Sequence, residues 1–231
     1  MKKLIVIPAR GGSKGIPDKN IFPVNGKPLI SYTLDMLNLI SFTDTDIVVS
    51  TDSPKIKSIV NVYKNIIVID RPANISGDTA STESALINAL EFMEKSYNRN
   101  YDAVVTLQPT SPMRKKETLL SFIAEYEKNY PKYNAQLSLS EDRTDFWILN
   151  DHGVYERLQK NAPRRRQARK PLYAENSAYY ITDTKILLET GSILGSSVNG
   201  FVISSDEALD INYPIDIEIA ELLLKKMKGS V

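Results

Sequence analysis

Short apolar runs alternate with longer amphipathic ones through the first two-thirds of the 231-residue chain. Leu4-Ile5-Val6-Ile7 has the length and character of a buried strand. After Pro28, apolar residues at Leu29, Ile30, Leu34, Met36 and Leu37 fall close to helical spacing and predict a helix over 28–39. Ile47-Val48-Val49 predicts a second strand, with a helix from Pro54 to about Tyr63. Ile66–Ile69 is a third strand, 82–95 a helix, 103–107 a fourth strand and 115–129 another helix. Strands separated by helices predict βαβ units and therefore a Rossmann-like α/β fold with a doubly wound, mostly parallel sheet. Ligands of such sheets sit beyond the carboxyl ends of the strands, so the loops beginning at Pro8, Thr51 and Gln108 are where chemistry is expected.

From about Glu141 the pattern changes. The apolar stretches 146–149 and 154–158 are short, and 159–173 is polar and strongly basic. Sheet-like alternation resumes at 177–181 and again at 201–204, and 217–226 closes the pattern as an amphipathic helix. The expected organisation is one α/β domain from 1–140 and 177–231, with 141–176 as a small inserted arm.

Composition narrows the chemistry. There is no cysteine and a single histidine, His152, so disulfides, thiolate metal sites, a cysteine nucleophile and a histidine cluster are all excluded within the chain. What remains is carboxylates, Lys/Arg, hydroxyls, amides and a hard cation such as Mg²⁺. A formal net charge of +1 gives no global reason to expect nucleic-acid or membrane partners. The opening Met1-Lys2-Lys3 followed by four apolar residues is too short for a signal segment, because Arg10 closes it, and a cytoplasmic protein is expected. Seven Lys/Arg between Arg157 and Lys170 make the arm locally basic. It lacks the interleaved aromatics of an RNA-binding surface, so it reads better as a cluster that gathers anionic small molecules.

The stretch from Pro8 to Asn20 is the most informative. Gly11, Gly12 and Gly15 let the backbone approach a ligand closely, and successive N–H groups in such a loop make an anion cradle. Arg10, Lys14 and Lys19 add charge suited to a triphosphate, while Ser13 and Asn20 add hydrogen-bonding groups. The loop is neither a Walker A sequence nor a dinucleotide fingerprint.

Together with this loop, several further motifs run in order along the chain. They are Ser50-Thr51-Asp52, Arg71-Pro72-Ala73, Asp78-Thr79-Ala80-Ser81, and the run from Leu107 through Gln108-Pro109-Thr110-Ser111-Pro112-Met113 to Arg114. Arg165-Arg166-Gln167, Glu175-Asn176-Ser177-Ala178-Tyr179-Tyr180-Ile181 and Leu209-Asp210-Ile211 follow. This set resembles the acylneuraminate cytidylyltransferase family, the CMP-sialic acid synthetases, over nearly the whole chain. The resemblance implies activation of a nine-carbon sugar acid by CTP, giving the CMP-sugar and pyrophosphate. It implies a CTP site of Arg10, Ser13, Lys14, Lys19, Asn20, Arg71, Ala80 and Thr82, with Arg10, Lys14 and Lys19 stabilising the leaving pyrophosphate. It also implies sugar-acid contacts from Gln108 and from Arg166 of the arm, which in these dimers reaches toward the partner's site. Asp210 matches a Mg²⁺-binding carboxylate, and Tyr179 and Phe201 are candidates for the sugar pocket.

Two departures stand out. The metal pattern Asp-x-Asp is here Asp210-Ile211-Asn212, so an amide replaces a carboxylate, with Asp216 close by in sequence. Ala174 stands where many members have an arginine before Glu-Asn, leaving Arg169 or Lys170 to supply that charge. The alternatives left open are the same transfer to legionaminate, pseudaminate or a 3-deoxy-nonulosonate, and a non-catalytic CTP-binding regulator.

Overall fold

The computed structural model describes residues 1–13 and 15–228. The first part runs β1 (Lys3–Pro8), β2 (Pro23–Val24), β3 (Lys27–Pro28), α1 (Leu29–Asn38), β4 (Thr45–Thr51), α2 (Pro54–Val60) and β5 (Ile67–Asp70). It continues through α3 (Thr82–Tyr97), β6 (Ala103–Thr106) and α4 (Lys116–Asn129). The remainder is β7 (Ala135–Asp142), β8 (Trp147–Leu149), β9 (Tyr155–Arg157), β10 (Leu172–Asp183), α5 (Thr184–Thr190), β11 (Val198–Val202) and α6 (Pro214–Lys228).

Seven strands form one sheet in the order β11-β7-β10-β6-β1-β4-β5. β1 pairs in parallel with β4 and β6, β4 with β5, and β11 with β7. Only β10 runs against its neighbours β6 and β7 in this sheet. The sheet is therefore mostly parallel, with helices on both faces, as the alternation of apolar runs and amphipathic stretches predicts. Strand alternation sorts the core. Ile5 and Ile7 pack with residues of α1, α2 and α4, including Leu34, Ile56 and Phe122. Leu4 and Val6 pack with Leu86, Ala89 and Met93 of α3 and Leu187 of α5. Burial on both faces is why the early strands read as unbroken apolar runs. A third cluster seats α6, through Ala220 and Leu224, against Ile16, Val24 and Leu29. No described helix is long and apolar enough to cross a membrane.

Besides the short β2–β3 pair, two elements lie outside the sequence expectations. β7 alternates Ala135, Leu137, Leu139 with Gln136, Ser138, Ser140, and residues 135–138 are buried on both faces. Its polar face survives burial because it is bonded: Gln136 Nε2 donates to the Phe122 carbonyl (2.7 Å), and Ser138 Oγ donates to Asn176 Oδ1 (2.6 Å). α5 is a seven-residue helix delimited by Asp183, which accepts from Ile186 N, and by Gly191 at φ 64°.

The β7–β10 ladder continues to the pair Leu172↔Asp142, so the stretch that leaves the sheet is shorter at each end than 141–176. Beyond the ladder β8 and β9 pair as an antiparallel hairpin. Asp145 holds the basic loop below it. It takes a two-point contact from Arg157 (3.0 and 2.8 Å), with Arg169 3.6 Å away. Hydrogen bonding and the surrounding guanidinium charge keep the Asp145 carboxyl below its ordinary range.

Candidate active site

A cavity of about 610 Å³ opens at the carboxyl ends of β1, β5 and β6, where a doubly wound sheet places its ligands. One wall comes from the loop after β1. Gly12 takes φ +66°, which favours glycine, and a side chain at Gly11 would lie 3.3 Å from Ser53 Cβ, a tight approach to the start of α2. Gly11 N donates to Asp52 Oδ1 (2.8 Å), tying the loop to the end of β4. Asn20 is buried and donates through Nδ2 to the Arg10 carbonyl (2.9 Å), closing the loop from its far side. Arg10, Ser13, Lys19 and Asn20 all line the cavity from this wall.

Arg71, just past β5, is also buried on the cavity wall, held by Ser50 through Nε to Oγ (3.1 Å) and NH2 to the carbonyl (2.8 Å). Burial lowers its pKa against the pull of Asp52. Ala80, Ser81 and Thr82 add the start of α3, where Ser81 accepts from Ser84 N. The positive end of this sixteen-residue helix therefore opens beside the cationic loop, which suits an anion. Arg10 makes an ion pair with Asp78 (2.8 Å) in this arrangement.

The opposite wall carries Gln108, Pro109 and Thr110 after β6, together with Ser177, Asp210, Asn212 and Tyr213. Lys19 bridges the two walls, donating to the Ile211 carbonyl (2.9 Å) and lying 3.4 Å from Asn212 Oδ1. Burial lowers its pKa more than Asp210 and Asp216 restore it. Asp210 Oδ2 accepts from Asn212 Nδ2 (2.8 Å), while Asp210 Oδ1 is buried without a hydrogen-bond partner. Asp216 Oδ2 accepts from the backbone N–H groups of Asn212 and Tyr213 (2.8 and 2.7 Å), so that oxygen serves the entry to α6.

Among the described residues no group of three or more His, Cys, Asp or Glu could cage a metal ion. Mg²⁺ seldom uses such a cage, because one or two carboxylates with substrate phosphates and waters complete its shell. An orphaned carboxylate oxygen on Asp210, whose other oxygen accepts from the Asn212 amide, fits that kind of open site.

Not every expected residue reaches the cavity. Tyr179 does not line it: the ring is fully buried against Phe122, and its hydroxyl donates to Glu207 (2.5 Å). It lies on the core side of β10, so the expectation of a sugar contact is corrected to a packing role. Phe201 likewise packs edge-on against Phe122. Arg166 sits on a short exposed turn of the arm and does not line the cavity in a single chain. Arg169, one of the two residues considered for the charge missing at Ala174, donates to the Pro163, Arg143 and Arg164 carbonyls and does not line the cavity. Lys14 lies outside the described residues. His152 is exposed in a turn.

Arg114 emerges with a structural assignment that the motif alone did not supply. Buried, it donates to the Ala178 carbonyl (3.0 Å), Thr33 Oγ1 (2.5 Å) and the Gln108 carbonyl (2.5 Å). It thereby fixes the backbone that carries Gln108. Burial pushes its pKa down to about 10, with Tyr179, Asp210 and Glu207 opposing the shift. The signal available in sequence was an arginine six residues beyond Gln108 in a Pro-rich turn, which does not distinguish a buried pin from a surface charge.

A family model described as Cytidylyltransferase matches residues 4–226. The pseudaminic acid cytidylyltransferase of Campylobacter jejuni subsp. jejuni serotype O:23/36 (strain 81-176) is 33% identical over 227 residues, covering 97% of each chain. An N-acylneuraminate cytidylyltransferase of Streptococcus agalactiae serotype V (strain ATCC BAA-611 / 2603 V/R) is 32% identical over 215 residues, covering 92% of this chain and 51% of that protein. Among solved structures, the CMP:2-keto-3-deoxy-manno-octonic acid synthetase complexed with CTP superposes with a TM-score of 0.68 at 18% identity, covering 98% of this chain and 100% of that one. That likeness concerns the fold. With residues 4–226 matched by the family and 97% of the chain by a relative itself covered to 97%, the chain belongs to the cytidylyltransferase family.

Proposed function

We propose that this chain transfers a cytidylyl group from CTP to the anomeric C2 hydroxyl of a nonulosonic acid, releasing pyrophosphate. The observation that carries the reading is the single cavity whose two walls differ. A glycine loop with Arg10, Lys19, Arg71 and the start of α3 faces Gln108, Asp210 and Asn212 across it. The first wall suits a triphosphate, the second an attacking sugar acid beside a hard cation. In the transfer, the hydroxyl oxygen bonds to the α-phosphorus and the bond to the β-phosphate oxygen breaks. Pyrophosphate leaves with that electron pair, and the hydroxyl proton passes to solvent. Such transfers depend on in-line positioning and charge stabilisation, so the absence of a cysteine or histidine nucleophile is no obstacle. Arg10 and Lys19 stabilise the departing charge, with Lys14 assigned the same role from the sequence. Asp210, assisted by Asn212, is the proposed holder of Mg²⁺. When bound there, the ion would supply charge neutralisation at the α-phosphate and acidify the attacking hydroxyl.

An N-acylneuraminate substrate is the leading reading, and pseudaminate, favoured by the 33% identity over 97% of each chain, is its first rival. The discriminating experiment is pyrophosphate release with CTP against N-acetylneuraminate, pseudaminate, legionaminate and a 3-deoxy-nonulosonate. Turnover of one acid identifies it. CTP binding with no turnover on any acid replaces the enzyme with a CTP-binding regulator.

The segment 141–176 is proposed as a dimerisation arm of a cytoplasmic homodimer, with Arg166 reaching the partner's cavity. Trp147, Ile148, Leu149 and Tyr155 are exposed on its hairpin, an apolar set that suits a partner surface. Arg166→Ala and Arg71→Ala homodimers should each lose at least tenfold in turnover, and mixing the two should restore up to a quarter of wild-type activity. Mixtures no more active than the separate variants would refute the crossed contribution.

A further inference from the structure

Ser177 has φ +59°, a left-handed conformation that side-chain-bearing residues adopt rarely and at a steric cost. It occupies a register shift in β10 between Glu175, opposite Leu139, and Tyr180, opposite Leu137. The residues on either side are bolted to β7. Asn176 accepts from Ser138 Oγ (2.6 Å) and donates to Ser140 Oγ (2.9 Å), and Tyr179 N donates to Ser138 Oγ (2.9 Å). The conformation is thus imposed by its surroundings. Strain of this kind collects at ligand sites, and Ser177 lines the cavity beside Gln108. Tyr180 pairs with Thr106, the last residue of β6, so the bulge projects past the carboxyl edge on the side away from Arg71. Among the described residues the Ser177 hydroxyl makes one contact, lying 3.4 Å from the Tyr180 hydroxyl oxygen. Tyr180 already donates to Glu175. The only described acceptor for the serine proton is therefore that phenolic oxygen, at a distance beyond an ordinary O–H···O bond.

Resting on the proposed transfer to an acidic sugar, we propose that Ser177 is a specificity-determining contact that donates a hydrogen bond to an acceptor oxygen of the sugar acid. Glycine would satisfy the backbone without strain, so a serine held in this conformation contributes its hydroxyl. The test uses two substitutions with opposite effects on strain. Ser177→Gly removes both strain and hydroxyl; Ser177→Ala keeps the strain and removes only the hydroxyl. Both should raise KM for the acid about tenfold and leave KM for CTP within twofold, with Ser177→Gly melting no lower than Ser177→Ala. A Ser177→Gly enzyme with wild-type KM for the acid overturns the assignment, because serine would then be merely tolerated. An equal rise in KM for CTP overturns it too, since the loss would come from general distortion. Wild-type enzyme assayed alongside separates the two levels: if it turns over no nonulosonic acid, the functional reading itself fails and this inference with it.

Discussion

The two walls of the cavity satisfy their polar groups to different degrees. On the wall proposed to hold the nucleotide the loop and its supports bond one another: Asp52 holds Gly11, Asn20 holds the Arg10 carbonyl, and Ser50 holds Arg71. On the opposite wall and just behind it, buried polar atoms stand without partners, namely Asp210 Oδ1, Arg114 Nε, Ser111 Oγ and Thr106 Oγ1. Buried groups are usually paired, so a local concentration of orphans marks a place completed by water, an ion or a ligand. The nucleotide wall is pre-organised on the ends of parallel strands. The other wall hangs on a bulge in the antiparallel β10 and on the segment leading into α6.

The largest effect is expected where an orphan carries charge. Asp210→Ala should lower kcat by about a thousandfold, the scale lost when a group stabilising transition-state charge is removed. CTP affinity should change far less, and thermal unfolding should stay near wild type, since the carboxylate's one bond to a described residue is to the Asn212 amide. An Asp210→Ala enzyme within tenfold of wild type would make the two walls equivalent and move metal holding elsewhere.

Arg114 tests whether the second wall depends on a buried pin. Arg114→Met leaves the Ala178 and Gln108 carbonyls and Thr33 Oγ1 without their donor in a buried site, a loss of about 3 kcal/mol. Chemical denaturation should report it as a lower midpoint. In conditions where the variant remains folded, KM for the acid should rise more than KM for CTP, because Gln108 stands on the released loop. A parallel rise of both constants would show that the pin supports the whole cavity.

The same division explains what could be read from sequence. β1, β4 and β6 bury both faces, β5 lies half-buried at the edge, and all four carry apolar runs, so they were visible, and with them the cavity's position. β7 was not, because Gln136, Ser138 and Ser140 give it a polar face that becomes buried only through bonds to distant residues, Phe122 and Asn176. The nucleotide wall was legible because glycine, arginine and lysine are contiguous in the loop after β1. The second wall draws on residues from 106 to 213, and its geometry depends on β10. An aromatic next to a motif could not be assigned to cavity or core without knowing which face of that strand it occupied, and Tyr179 took the core face against Phe122. Ser177 carries no compositional mark at all; only its backbone angle distinguishes it.

Lys19 joins the walls, and its titration offers the mildest test of the contrast. Burial lowers its pKa in the free protein below the ordinary lysine value, because desolvation outweighs the attraction of Asp210 and Asp216. A triphosphate needs the protonated amine, so CTP affinity should be complete below that lowered pKa and fall as pH rises through it. The alkaline limb should therefore start earlier than for an exposed lysine. Lys19→Arg, whose guanidinium stays charged across this range, should bind CTP somewhat more weakly at neutral pH but lose the limb. Calorimetric titration with CTP between neutral pH and the alkaline limit of folding measures both. If the limb persists unchanged in Lys19→Arg, the amine is not the group that couples the phosphates to the acid-side wall, and its bond to the Ile211 carbonyl is a purely structural tie.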